Sequence, residues 1–151
     1  MDAIMGSISV TGIGCAVLIA ASAPSIAQAA DVEVQVQGLR NTRGMVRLCL
    51  TRNQAHFPDC NRDPAAVKHS VASAQAGSIR LTGLGEGTYA LSVIHDENAN
   101  GRLDRFTAIP REGFGFSRNP RIRMGPPSFE EVRFALGAGG SRQIVRMKYL
   151  L

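Results

Sequence analysis

Alternating apolar and polar positions dominate the chain from residue 31 onward. Asp31-Val-Glu-Val-Gln-Val-Gln37 places Val32, Val34 and Val36 on one face, the period-two signature of a half-buried strand. Gly38 to Gly44 is rich in Gly, Asn and Arg and predicts a turn. Met45 to Thr51 alternates again, with Val46, Leu48 and Leu50 inward. Arg52 to Lys68 is polar and broken by Pro58 and Pro64, so a long loop is expected there. A helical turn near Asp63 to Val67 is predicted, because Asp63 suits a cap and Pro64 a first helical position. His69 to Ala74 and Ser78 to Leu81 predict two less regular strands. Gly83-Leu-Gly-Glu-Gly87 then leads into Thr88 to Ile94, where Tyr89, Leu91 and Val93 alternate inward. A glycine triplet that cradles phosphate leads from strand into helix; this one leads into a strand and reads as a turn.

From His95 to Pro127 no period holds, and a stretch of that length in a small domain is usually functional or held by its own contacts. Ser128-Phe-Glu-Glu131 has the capping-box pattern, yet Val132, Phe134 and Leu136 alternate with polar or small neighbours and predict a strand after a bend. Gln143 to Tyr149 predicts a closing strand with Val145, Met147 and Tyr149 on one face. The fold class expected is all-β: a single β-sandwich of about seven strands with one long irregular loop.

Composition alters the picture first at the N-terminus. Ile8 to Ala23 is apolar or small and uncharged, and Ala27-Gln28-Ala29 offers the small-x-small pattern of a cleavage site. A signal peptide over 1–29 and a domain over 30–151 are therefore expected, with a periplasmic or secreted location. Met1 to Ser7 carries no Lys or Arg, which departs from the usual signal. The apolar run is too short and too rich in Gly, Ala and Ser to serve as an anchor, so no membrane span is expected in the mature chain. Without Asp2, 17 cationic residues face 11 carboxylates, a net charge of +6. Six of the arginines lie between Arg102 and Arg123. Export sets nucleic acid aside and leaves an anionic envelope component, a lipid head group or an acidic polysaccharide as partner, against a basic face that only meets solvent. A monomer is expected. Cys49 and Cys60 remain, an even pair that in an exported chain predicts a disulfide, with two free thiols as the alternative. There is no C-x-x-C, so neither a redox motif nor a zinc site is supported.

Candidate chemistry concentrates in His95-Asp-Glu-Asn-Ala-Asn-Gly-Arg-Leu-Asp104. Asp96, Asn98, Asn100, the Arg102 carbonyl and Asp104 fall at positions 1, 3, 5, 7 and 9 of a calcium loop, with Gly101 at the sharp turn. Position 12 is Thr107, which cannot close the site, so the set is complete only if Glu112 folds back. Weak calcium binding is one reading; a metal-free turn held by its own Asx hydrogen bonds is the other. His95 continues the Val93 face and reads as a pin for the loop or as a catalytic base. Asp96 and Glu112, with His95, form the acid–base set of a weak hydrolase. In Gly113-Phe-Gly-Phe-Ser117, Phe114 and Phe116, with Arg118 and the Arg cluster, form either an aromatic platform for a sugar or two anchors pinning the loop.

Three stretches carry a resemblance: Leu84 to Asp104, Ile109 to Ser117, and Gly125-Pro-Pro-Ser-Phe-Glu-Glu131. In this order they resemble an exported bacterial domain-of-unknown-function family, the one numbered 2141. The resemblance spans essentially the mature region and implies an immunoglobulin-like or transthyretin-like sandwich with no attached activity. The chain departs from it in Arg105 and the further arginines around the motif. The function expected is a non-enzymatic exported module with a binding or structural role in the cell envelope. A carbohydrate-binding module and a weak hydrolase are the alternatives.

Overall fold

A computed structural model describes residues 29–151. The expected signal peptide falls on residues 1–29, so all but its final residue lies outside the described part. In chain order the strands are β1 (Ala30–Gln37), β2 (Met45–Thr51), β3 (Val67–Ala72), β4 (Ile79–Leu84) and β5 (Gly87–Asp96). They continue with β6 (Arg105–Phe106), β7 (Ile109–Pro110), β8 (Gly113–Phe116), β9 (Phe134–Leu136) and β10 (Ser141–Arg146), with one short helix, α1 (Phe129–Val132).

The fold is an all-β sandwich. One sheet has the order β10-β1-β4, with β1 and β10 parallel and β4 antiparallel. The other runs β3-β2-β5-β8, all antiparallel, and β9 also pairs with β5. The alternation read from the sequence supplies the filling. Val32, Val34, Val36, Ile79, Leu81 and Val145 from the first sheet meet Val46, Leu48, Leu50, Tyr89, Leu91 and Val93 from the second. Excluding these side chains from water drives the sheets together, at roughly 25 cal/mol per Å² of apolar surface removed. After Met147 the chain leaves β1. Met147 N–H donates to Gln37 O, and Lys148 pairs with Phe114, so the end of β10 joins β8 and links the sheets along one edge.

A second, smaller core sits on the outer face of the β2–β5–β8 sheet. Phe114, Phe116, Ala90, Phe129 and Val132 are buried there, with Phe57 and Ile122 against them. Phe57 reaches it from the 52–66 loop, its ring 5.8 Å from Phe116 and 6.1 Å from Phe129. A Cys49–Cys60 disulfide ties that loop to β2, with Cα atoms 6.1 Å apart and 11 residues of separation. Closing a loop of that size removes unfolded-state entropy worth about 3 kcal/mol.

Several boundaries differ from the sequence expectation. The helical turn lies at Cys60–Arg62, just before Asp63, which instead accepts Ala65 N–H in an Asx turn. β3 begins at Val67, and Ser73–Gln75 forms a 3-10 turn where strand was expected. Ser128 and Glu131 close a full capping box, so α1 forms before the strand β9. The stretch expected to be irregular contains the β6–β7 hairpin and β8. Among the described residues, no helix is long and apolar enough to cross a membrane.

Candidate functional site

Asp96 ends β5 with its side chain on the outer face and fully buried. Its Oδ1 accepts Asn100 N–H at 3.0 Å; its Oδ2 accepts Gly101 N–H at 2.8 Å and Arg47 Nε–H at 2.6 Å. The loop wraps around this carboxylate because Ala99 (φ 58°) and Gly101 (φ 87°) adopt left-handed backbone, which lets successive amides point inward. Asn98 Oδ1 accepts Asn100 N–H, and Asn100 Oδ1 accepts Arg102 N–H. Both Asn side-chain amides donate to Asp104, at 2.7 and 2.9 Å. Those two amide bonds, with the Arg102 and Arg111 charges nearby, hold the Asp104 carboxyl below the usual carboxylate range.

Glu112 folds back to the loop. It is buried, and its two oxygens accept the N–H groups of Glu97 and Asp104, at 2.9 and 3.0 Å. It thereby clamps both ends of the 97–104 segment. Glu97 points the other way, into a basic cluster. It accepts from Asn41 (2.7 Å), Arg40 Nε (2.8 Å) and Arg43 (3.0 Å). Burial pushes the Glu97 carboxyl up, but these three donors outweigh it and bring the group down to about 2. Arg40 also donates to the carbonyls of Arg111 and Leu151 and lies over the Tyr149 ring, 4.6 Å from its centre. Gly44 makes the approach of this turn to the loop feasible. Its φ is +66°, and a Cβ there would lie 2.0 Å from the Asp96 carbonyl oxygen.

His95 faces the opposite way from Asp96, on the Val93 side, and is fully buried. Nε2 lies 2.9 Å from Arg43 O and Nδ1 lies 2.7 Å from the Tyr149 hydroxyl. A carbonyl only accepts, so Nε2 carries the proton, and Nδ1 accepts from Tyr149 O–H. Tyr149 in turn accepts Arg40 N–H at 3.2 Å. Burial, followed by the Glu97 charge, pushes the Tyr149 hydroxyl up despite that bond and the Arg40 charge.

Of the residues singled out from sequence, Asp96, Asn98, Asn100, Asp104 and Glu112 do converge on one loop. Asp96 and Glu112, the acid–base set of the hydrolase alternative, accept N–H donors from within the protein and are buried. His95 lies across the sheet from Asp96, not beside it in space, because neighbouring strand residues point to opposite faces. Phe114 and Phe116, given as a sugar platform or as two loop anchors, are each 7% exposed and lie in the outer core. Arg118 is exposed at the turn after β8, with φ 61°, and donates to Arg133 O. Three residues were missed. Arg47, on the Cys49 face of β2, neutralises Asp96. Arg40 bridges three segments. Asn119 pairs with the open edge of β10, donating to Ile144 O and accepting Arg146 N–H.

The set is rich in oxygen donors suited to a hard cation. Thr107 is exposed at the tip of the β6–β7 hairpin, and Glu112 accepts the backbone N–H groups of Glu97 and Asp104. A cation seated here would displace the Asn98 and Asn100 amides from Asp104 and share Asp96 with Arg47. Among the described residues, no group of three or more His, Cys, Asp or Glu is close enough to form a metal centre by itself.

A family model described as an uncharacterized protein conserved in bacteria (DUF2141) matches residues 34–144. The chain belongs to that family. No curated protein and no solved structure matches the chain.

Proposed function

We propose that this member of the uncharacterised bacterial family is an exported, non-catalytic β-sandwich module with a binding or structural role in the cell envelope. In this reading the 96–112 loop is a rigid scaffold that holds its own shape. The observation that carries it is the commitment of the loop's carboxylates. Asp96, Asp104 and Glu112 together accept seven hydrogen bonds from within the protein. A general acid or base needs an oxygen or nitrogen within reach of a substrate proton. Asp96, Glu112 and His95 are at most 5% exposed, and each is oriented by other protein groups.

The second reading, a weak calcium loop, is favoured by one observation: the side-chain oxygens of Asp96, Asn98, Asn100 and Asp104 gather on one loop, with Glu112 folded back against its ends. Melting the protein in several millimolar Ca²⁺ and in chelator decides between the two. A self-sufficient scaffold gives the same Tm in both. A rise with Ca²⁺ that chelator reverses transfers the loop to the second reading. Turnover of chromogenic glycosides or esters that is lost in Glu112→Gln would overturn the non-catalytic reading altogether.

A further inference from the structure

The β6–β7 hairpin, at the far end of the scaffold loop, has no role in holding that loop. Phe106 and Ile109 are a direct cross-strand pair, so their side chains share one face of the ribbon. They are 63% and 43% exposed, although large apolar side chains are normally drawn into a core. Thr107 and Ala108 between them are exposed and uncharged. The base of the hairpin is fixed: Arg111 N–H donates to Asp104 O at 2.9 Å, and Glu112 holds Asp104 N–H. The apolar tip is therefore displayed on a rigid stem, which lowers the ordering cost of any docking.

A cationic collar surrounds it. Arg102, Arg105 and Arg111 are all exposed. Among the described residues, Arg105 and Arg111 have no ion-pair partner, and the Arg102 contact to Asp104 is a long 3.7 Å. The carboxylate in the same segment, Asp104, is occupied by Asn98 and Asn100. A small apolar tip with guanidinium groups behind it matches the boundary of an anionic bilayer, with ring and aliphatic groups at acyl-chain level and cations at the phosphates. A soluble polyanion would use the arginines and leave Phe106 and Ile109 in water. A protein partner needs on the order of 1,000 Å² of complementary surface, more than two side chains offer.

We propose that the Arg105–Pro110 hairpin is a docking tip for an anionic phospholipid surface. This deepens the module reading of the same loop and rests on it. The chain contains no Trp, so Phe106→Trp places a single indole reporter at the tip. Full-length protein is mixed with phosphatidylglycerol–phosphatidylcholine vesicles, with pure phosphatidylcholine vesicles, and with dextran sulfate. The expected result is a blue-shifted emission on the anionic vesicles alone, weakened by raised salt. In co-sedimentation with the otherwise native chain, Phe106→Ser lowers binding about tenfold, and Arg105→Gln lowers it several-fold. Both side chains are exposed, so both variants keep the parent Tm. No shift on anionic vesicles at low salt overturns the proposal. So does binding that Arg105→Gln weakens and Phe106→Ser leaves unchanged, which assigns the arginines to a soluble polyanion. Melting reports the scaffold and vesicle emission reports the tip, so either reading fails independently of the other.

Discussion

Replacing Asp96 with alanine removes the centre of the scaffold loop, and the cost follows from what it leaves behind. Three donors lose their acceptor: the N–H groups of Asn100 and Gly101, and the Arg47 guanidinium at 2.6 Å. A hydrogen bond to a charged group contributes about 1.5–3 kcal/mol when buried. The two amides lie on an exposed loop that water can reach, and the Arg47 side chain is 31% exposed, so each term takes a discount. A net loss of about 2–4 kcal/mol remains, a large share of the roughly 5–15 kcal/mol that holds a domain together. For a domain of this size that is on the order of 10 °C in Tm. Asp96→Asn keeps one acceptor oxygen but turns an NH2 donor toward a remaining donor and removes the charge that pairs with Arg47, so it is expected to recover less than half of the loss. Differential scanning calorimetry in chelator is the assay. The reasoning is refuted if Asp96→Ala melts within about 2 °C of the parent in chelator, since the internal hydrogen bonds would then contribute nothing measurable.

Gly115 supports a second prediction. A Cβ there would meet Val145 Cγ1 at 2.5 Å, with the Arg146 carbonyl at 3.2 Å and Met147 sulfur at 3.3 Å. Gly115→Ala is expected to cost about 1–3 kcal/mol by overpacking. Gly113→Ala should cost more, because a Cβ there would meet the Tyr149 ring at 2.4 Å, and moving that ring breaks its hydrogen bonds to His95 and Arg40. Equal urea midpoints for the two variants would contradict this ordering. The third concerns acid. Glu97 is held at about 2 against an ordinary 4.5, so its stabilisation is complete above pH 4.5 and is lost as pH falls from there toward 2. After a discount for Arg43, 74% exposed, the contribution is about 1–2 kcal/mol. Glu97→Gln should therefore trail the parent at pH 7 and converge with it near pH 2; a constant gap across that range would refute the assignment.

The sandwich was legible because its buried positions follow a simple period. Val32, Val34 and Val36, or Tyr89, Leu91 and Val93, alternate without interruption, and each set lies in the core. β8 is not read as a strand, although its pattern is regular. Gly113-Phe-Gly-Phe116 is itself an alternation, with both Phe on one face and both Gly on the other, where Tyr149, Val145 and Met147 press against the backbone. Flanked by glycine it reads as loop, because glycine ordinarily weakens a strand. The loop's own hydrogen-bonding residues were also readable, since Asx turns depend on local spacing. Its supports were not. Arg40 lies 57 residues from Glu97, and Arg47 lies 49 from Asp96. Nothing in the local pattern of β2 distinguishes an arginine that meets water from one that neutralises a buried carboxylate. As two apolar residues in an aperiodic segment, Phe106 and Ile109 carry no surface signal in the sequence; it comes only from their cross-strand pairing.

The parallel pairing of β1 with β10 has a kinetic consequence. Val32 finds Ser141 across 109 residues, and the central strand of the first sheet lacks one of its two neighbours until that contact forms. Closing a loop of that length costs about 4 kcal/mol in chain entropy before any ladder bond repays it. The β2–β3 and β2–β5 ladders are nearer in sequence and gather first, with one apolar face open until β1 and β10 close over it. Folding should accordingly be slow for a domain of this size, in the millisecond-to-second range of non-local β proteins. A chain interrupted before residue 141 would remain an incomplete sheet with its valines uncovered.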